Sequence, residues 1–199
     1  MDASKAFDRL VHSGLFLKLL KWGSPLIFID IVVARYADLW CRVRWGDTYS
    51  EWFCIEAGVR QGGVLSPDFY CIYVDDLAEI LSRTGIGCHL RNMFLSILLY
   101  ADNMALVFLS LRGLQNLLIL MEEYCHEWDI CLNAKKSKNM FGKKHPLLLL
   151  QLEGKNIDWV EKWTYLGITV TSHKRFNCCI EEKVKSFYRS ANAILRIEG

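Results

Sequence analysis

At 199 residues, with 52% hydrophobic and 13% aromatic side chains, the chain can bury the core of one globular domain, and its composition excludes a disordered polymer. A formal net charge of +2 conceals an asymmetry: residues 1–129 carry 11 basic and 16 acidic side chains, residues 130–199 carry 13 and 6, or −5 against +7. No apolar stretch reaches the roughly 18 residues that a membrane span needs, because Lys18, Asp30 and similar charges interrupt each one. The opening MDASKAFDRL is mixed and acidic, unlike a secretory signal, so an intracellular setting, nucleus or cytoplasm, is expected. Eight scattered cysteines without a C-x-x-C pair read as buried thiols of a reducing compartment rather than a disulfide or zinc framework.

Along the chain, positions 12–21 and 25–39 show helical apolar spacing, with Gly23 and Pro25 between them. CRVRW and EWFCIEA flank WGDTYS, an alternation around a Gly-Asp tip that predicts a hairpin. Ser66 as N-cap and Pro67 in the first turn open a helix to about Arg83, with Phe69, Ile72, Tyr73, Leu77, Ile80 and Leu81 on one face. Two short strands, near 95–100 and 104–109, meet at the tip YADN. A helix is predicted from about Leu114 to Trp128. A lysine-rich turn follows, then the strand-like LLLLQLEG, a second strand ending in WTYLGITV, and a final helix from about Phe176. Helices, a hairpin and then mixed elements make an α+β layout.

Five segments carry chemistry in order: DASKAFD at 2–8, GVRQGGVLSPDFYCIYVDDL at 58–77, YADN at 100–103, LNAKKSK at 132–138 and YLG at 165–167. Together they resemble the reverse transcriptase of non-LTR, LINE-type retrotransposons, an RNA-directed DNA polymerase, over nearly the whole chain. The resemblance implies a polymerase palm over 1–170, a mixed or antiparallel sheet backed by helices, truncated at its N-terminus and with the fingers missing. Residues 171–199 would be a helical connection into the thumb. It implies an RNA template, a DNA primer, deoxynucleoside triphosphates and two Mg2+ or Mn2+ ions. No membrane partner is expected.

The physical logic of such a site is independent of the family. Two divalent ions about 4 Å apart stabilise the attacking and leaving oxygens, and hard carboxylate oxygens from two strands must converge to hold them. Asp2 and the turn at Asp102 and Asn103 are the catalytic, metal-holding candidates, and the resemblance implies that Asp2 is the first-motif metal ligand with the Ala3 carbonyl beside it. By the resemblance, Phe7 blocks a ribose 2′-hydroxyl. Gln61 and Gly62 pack against the nucleotide and template base, and Gly62 and Gly63 permit close backbone approach. Lys136 approaches the nucleotide phosphates, and Tyr165, Leu166 and Gly167 support the primer end. Taken alone, each has an ordinary reading: Phe7 as core, R-Q-G-G as a loop, the Lys135–Lys144 cluster as a solubilising turn, Tyr165 as a strand end. Lys5 and Asp8 read as structural or solvated. The adjacent acids Asp75 and Asp76 fall on a helix and point about 100° apart, so a solvated or helix-bonding role is expected for them rather than a catalytic pair.

One departure bears on activity. The family's turn is Tyr-Ala-Asp-Asp, and Asn103 stands at its fourth position. Asn tolerates left-handed backbone, so the hairpin should keep its shape. A unit charge about 4 Å from a metal is lost, at a cost on the order of 4 kcal/mol per cationic charge in an effective dielectric near 20. The chain also starts at the first motif, so the strand presenting Asp2 is expected to be essentially absent. The expected enzyme is therefore a weak or inactive polymerase. The alternative is a non-catalytic, nucleic-acid-binding relic of one, and an unrelated α+β structural domain would make all five ordered motifs coincidental.

Overall fold

A computed structural model describes residues 1, 3–140, 149–172, 177–179 and 181–195, with the backbone alone described at 177–179, 181–182 and 193–195. The described part is mixed α and β. Its elements run α1 (His12–Lys21), α2 (Leu26–Tyr36), β1 (Trp40–Cys41), β2 (Arg44–Trp45), β3 (Thr48–Tyr49), β4 (Phe53–Cys54) and α3 (Ser66–Arg83). Then come β5 (Cys88–Leu90), β6 (Met93–Leu95), β7 (Ile97–Tyr100), β8 (Asn103–Leu106), α4 (Leu111–Glu127) and β9 (Lys138–Asn139). The chain continues through β10 (Gln151–Leu152), β11 (Lys155–Asn156), β12 (Asp158–Trp159), β13 (Lys162–Tyr165), β14 (Ile168–Thr171), β15 (Asn177–Cys179) and α5 (Glu181–Leu195). The pairings are antiparallel within small sheets, β1–β4, β2–β3, β5–β6, β7–β8, β10–β11 and β13–β14–β15, while β9 and β12 pair in parallel.

The helices form because their apolar residues recur on one face. Along α3, Phe69, Tyr73, Leu77 and Leu81 are buried with Tyr70 and Val74, whereas Ile80, expected on the same face, is exposed. They meet Leu15 and Leu19 of α1 and Leu117, Leu118 and Met121 of α4, all fully buried. Burying each such side chain contributes roughly 1.5–3 kcal/mol. Met104 of β8 is fully buried too, so the hairpin carrying YADN is anchored directly in this core.

Several expected boundaries move. Ser66 lies inside α3, not at its cap: Leu65 occupies that position, and the Ser66 hydroxyl donates to the Arg60 carbonyl at 2.6 Å instead of accepting from the helix. The fourth helix starts three residues earlier than its apolar spacing suggests, because the Ser110 hydroxyl accepts the Gly113 N–H at 3.2 Å and caps it. WTYLGITV is two strands, not one, since Leu166 and Gly167 both have positive φ, 48° and 79°, and fold it into a two-residue hairpin turn. The final helix begins at Glu181 and is preceded by β15; its expected start, Phe176, lies outside the described residues. Among the described residues no helix is long and apolar enough to cross a membrane.

Candidate active site

The site starts from the β7–β8 hairpin. Four cross-strand pairs, from Ile97 with Leu106 to Tyr100 with Asn103, leave Ala101 and Asp102 as the two-residue loop. The left-handed residue is Ala101, φ 50°, not Asn103, which opens β8 in extended pairing with Tyr100. Asn's conformational tolerance is therefore not what preserves the turn; its capacity to continue a ladder is.

The first residues of the chain dock against this hairpin. The Met1 backbone nitrogen donates to the Met104 carbonyl at 2.6 Å, the Met104 N–H returns a bond to the Met1 carbonyl at 3.0 Å, and the Ala3 N–H donates to the Asp102 carbonyl at 3.0 Å. On its other side the same stretch is bridged by Ala3 to Leu132, and the Ser4 N–H donates to the Cys131 carbonyl at 2.7 Å. The start of DASKAFD thus lies between the YADN turn and the start of LNAKKSK. No strand is assigned over these first residues among those described; Met1 and Ala3 make isolated backbone contacts instead. Asp2 itself lies outside the described residues, and so do Lys143 and Lys144 of the lysine cluster.

The loop with Gln61 packs on the next residues. The Val59 N–H donates to the Phe7 carbonyl at 2.8 Å and the Gly58 N–H to the Leu10 carbonyl at 2.8 Å, while the Gln61 amide reaches Asp8 Oδ1 at 3.2 Å. Gly58 has φ 92°, and a Cβ there would stand 2.8 Å from the Asp8 carbonyl oxygen, so only glycine permits this approach. Gly62 needs glycine for its φ of 78°, and the space beside it is open. The Phe7 ring is half-buried, 5.0 Å from the Tyr70 ring centroid, so core packing holds the position also expected to face a ribose. Lys5 is exposed with φ 53°.

Tyr165 reaches back from β13 to the Leu98 carbonyl of β7 at 3.5 Å, and burial raises its phenol pKa. Lys136 is exposed, with its backbone N–H bound to Asn133 Oδ1 at 3.2 Å. Asp75 is exposed, and Asp76 accepts from Lys18 Nζ at 2.6 Å. Lys18 was legible only as a charge among apolar residues; its position between Leu15 and Leu19 on the buried face of α1 was the available signal.

The turn itself is modified by its asparagine. Asn103 Nδ2 donates to Asp102 Oδ1 at 3.3 Å, so the substitution both removes a charge and occupies a carboxylate lone pair. No group of three or more His, Cys, Asp or Glu converges among the described residues. Asp102 is the one carboxylate of the expected pair among the described residues, and it faces an amide donor.

This arrangement defines a class. Residues 1–170 match the family described as reverse transcriptase (RNA-dependent DNA polymerase), and the chain belongs to that family. It is a reverse transcriptase domain of non-LTR retrotransposons: it is 29% identical over 189 residues to the Retrovirus-related Pol polyprotein from type-2 retrotransposable element R2DM of Drosophila melanogaster, covering 89% of this chain and 18% of that protein. It is 30% identical over 200 residues to the probable RNA-directed DNA polymerase from transposon BS of the same species, 95% of this chain and 21% of that protein. Against the RNA-directed DNA polymerase from mobile element jockey of that fly the identity is 26% over 185 residues, 89% and 20% of the two chains. The chain thus spans about a fifth of the length of the relatives it matches. The family copies RNA templates into DNA with divalent metal ions.

Proposed function

We propose that residues 1–170 are a polymerase palm, that 171–199 lead into a helical thumb, and that the palm engages an RNA template, a DNA primer and deoxynucleoside triphosphates. The observation that carries this reading is the Ala3–Asp102 backbone bond, which sets the first motif against the YADN turn. In this reading Asp102 supplies the turn's anionic oxygen, with Asp2 and the Ala3 carbonyl as its expected partners. Phe7 and Gln61 orient the nucleotide with Gly62, Lys136 meets its phosphates, and Tyr165, Leu166 and Gly167 hold the primer end.

Asn103 makes the transfer step weak. Loss of on the order of 4 kcal/mol at the transition state corresponds to about three decades in rate. Primer extension on an RNA template with Mg2+ or Mn2+ tests this. The chain should incorporate at or below detection, and Asn103→Asp should raise incorporation by up to about a thousandfold. Robust synthesis by the unaltered chain would sink the idea.

A second reading, a non-catalytic nucleic-acid-binding domain, is supported by the Asn103–Asp102 hydrogen bond, which satisfies the carboxylate without metal. Under it, Asn103→Asp leaves incorporation unchanged while template binding persists.

A further inference from the structure

The ribbon between α2 and α3 carries a chemistry that the proposed palm does not use. Its outer end is the β2–β3 pair, joined to the β1–β4 pair by mutual bonds between Val43 and Ser50: the Ser50 N–H donates to the Val43 carbonyl and the Val43 N–H to Ser50 Oγ, both at 2.9 Å. Arg42 lays its guanidinium over two rings, 4.0 Å from the centroid of Tyr49 and 4.8 Å from that of Trp52. Arg44, cross-strand from Tyr49, lies 5.7 Å from the same ring. The four side chains form a ladder of alternating cations and rings, and Tyr49 and Trp52 still expose half or more of their surface.

Such a ladder has few uses inside the molecule. Neither arginine has a carboxylate partner among the described residues, although Asp47 and Glu51 lie on the same ribbon. Arg44 Nε donates to the Gly46 carbonyl at 2.9 Å, which fixes its guanidinium, and both arginines are exposed. Planar guanidiniums held on rings suit phosphates, and exposed ring faces suit unstacked bases. Base stacking on aromatics is sequence-tolerant, which suits a template of any sequence. The ribbon is also continuous with the candidate site: its base is pinned by the Ile55 N–H to the Leu39 carbonyl at 2.7 Å and by the Ala57–Val11 bridge, one residue before the Gly58 loop.

We propose that Arg42, Arg44, Tyr49 and Trp52 form a binding platform for single-stranded nucleic acid, separate from the metal turn. Its preference over a protein partner rests on the polymerase reading; the ladder's chemistry does not. Strand alternation turns Trp45 to the opposite face from Arg44, although it is the more exposed tryptophan at 84%.

The test is fluorescence anisotropy of the full chain with labelled unstructured 20-nucleotide RNA and DNA strands, and with a duplex, in EDTA and without nucleotide. Polymerisation cannot contribute there, so failure of the catalytic reading leaves the result interpretable. Trp52→Ala should weaken single-strand binding about tenfold, and the double variant Arg42→Gln/Arg44→Gln should lower the salt slope by about 1.4. Trp45→Ala should bind as the parent does, and circular dichroism should match throughout. Unchanged affinity and slope in the first two variants would overturn the proposal. So would an equal loss in Trp45→Ala, or a change in sedimentation without a change in strand binding, which would assign the ribbon to a protein interface.

Discussion

Lys18 shows how a residue's environment outranks its type. It is fully buried, bonded to Asp76 at 2.6 Å and to the Tyr124 hydroxyl at 2.8 Å, and it lies 3.8 Å from the Trp128 ring centroid. Burial lowers its pKa, and the Asp76 bond opposes that shift. The two partners differ in exposure, 1% for Lys18 and 34% for Asp76, so an orphaned Asp76 can be solvated whereas an orphaned Lys18 cannot. Asp76→Ala should destabilise by about 3–5 kcal/mol because the ammonium remains buried, whereas Lys18→Met should be near neutral. Urea denaturation of both variants checks the asymmetry. At this scale the sequence exposed identities better than partners: YADN marked a hairpin tip, but Asn103 opens β8 rather than sitting in the loop, and nothing in a one-dimensional string shows that its amide points at the Asp102 carboxylate. The Lys18–Asp76 pair joins residues 58 positions apart, beyond the reach of periodicity.

Elements were legible where one face is buried and a turn residue marks the end. The reading of α1 matches residue for residue, and α3 ends where expected, because their apolar faces and flanking Gly or Pro leave little freedom. Apolar pattern alone read WTYLGITV as one strand end, since Leu166 takes a positive φ that a leucine seldom adopts; the family resemblance of YLG to a primer-supporting hairpin already pointed to the division that is seen. The loop over residues 58–63 depends on a glycine whose need is tertiary. Gly58→Ala should destabilise the protein by a few kcal/mol, combining φ strain with a 2.8 Å clash. Thermal denaturation should report that loss, and hydrogen exchange should show the Val59 amide losing protection, since its bond to Phe7 sits beside the clash.

For the molecule as a whole, alkaline pH is the weak direction. Burial pushes the Cys125 thiol from 9.0 up to about 12 and also raises the Tyr73 and Tyr124 phenols. In each case the folded chain holds a proton that the unfolded chain releases sooner. The stability they contribute is complete below about pH 9 and is lost as pH rises toward 12. Lys18, with its lowered pKa, works in the opposite sense across part of that range. These acids, together with the raised Tyr165 phenol, should prevail: the melting temperature should fall above pH 9, and Cys125→Ala should shallow that fall. Family and mixed α/β class were readable from five ordered motifs, because their sequence order is itself a long-range constraint. The packing of titratable groups was not, since burial emerges only when α1, α3 and α4 meet.

The pairing of Met1 with Met104 spans 103 positions. Closing so long a loop costs chain entropy that a few backbone bonds recover poorly, so this contact has little reason to form early. The first motif would join its partner turn after the helical core has condensed, making the site a late step of folding. Ala3→Gly should then speed unfolding while leaving the folding rate nearly unchanged in stopped-flow chevrons. A chain of this kind acquires its stable body first and its chemistry afterwards.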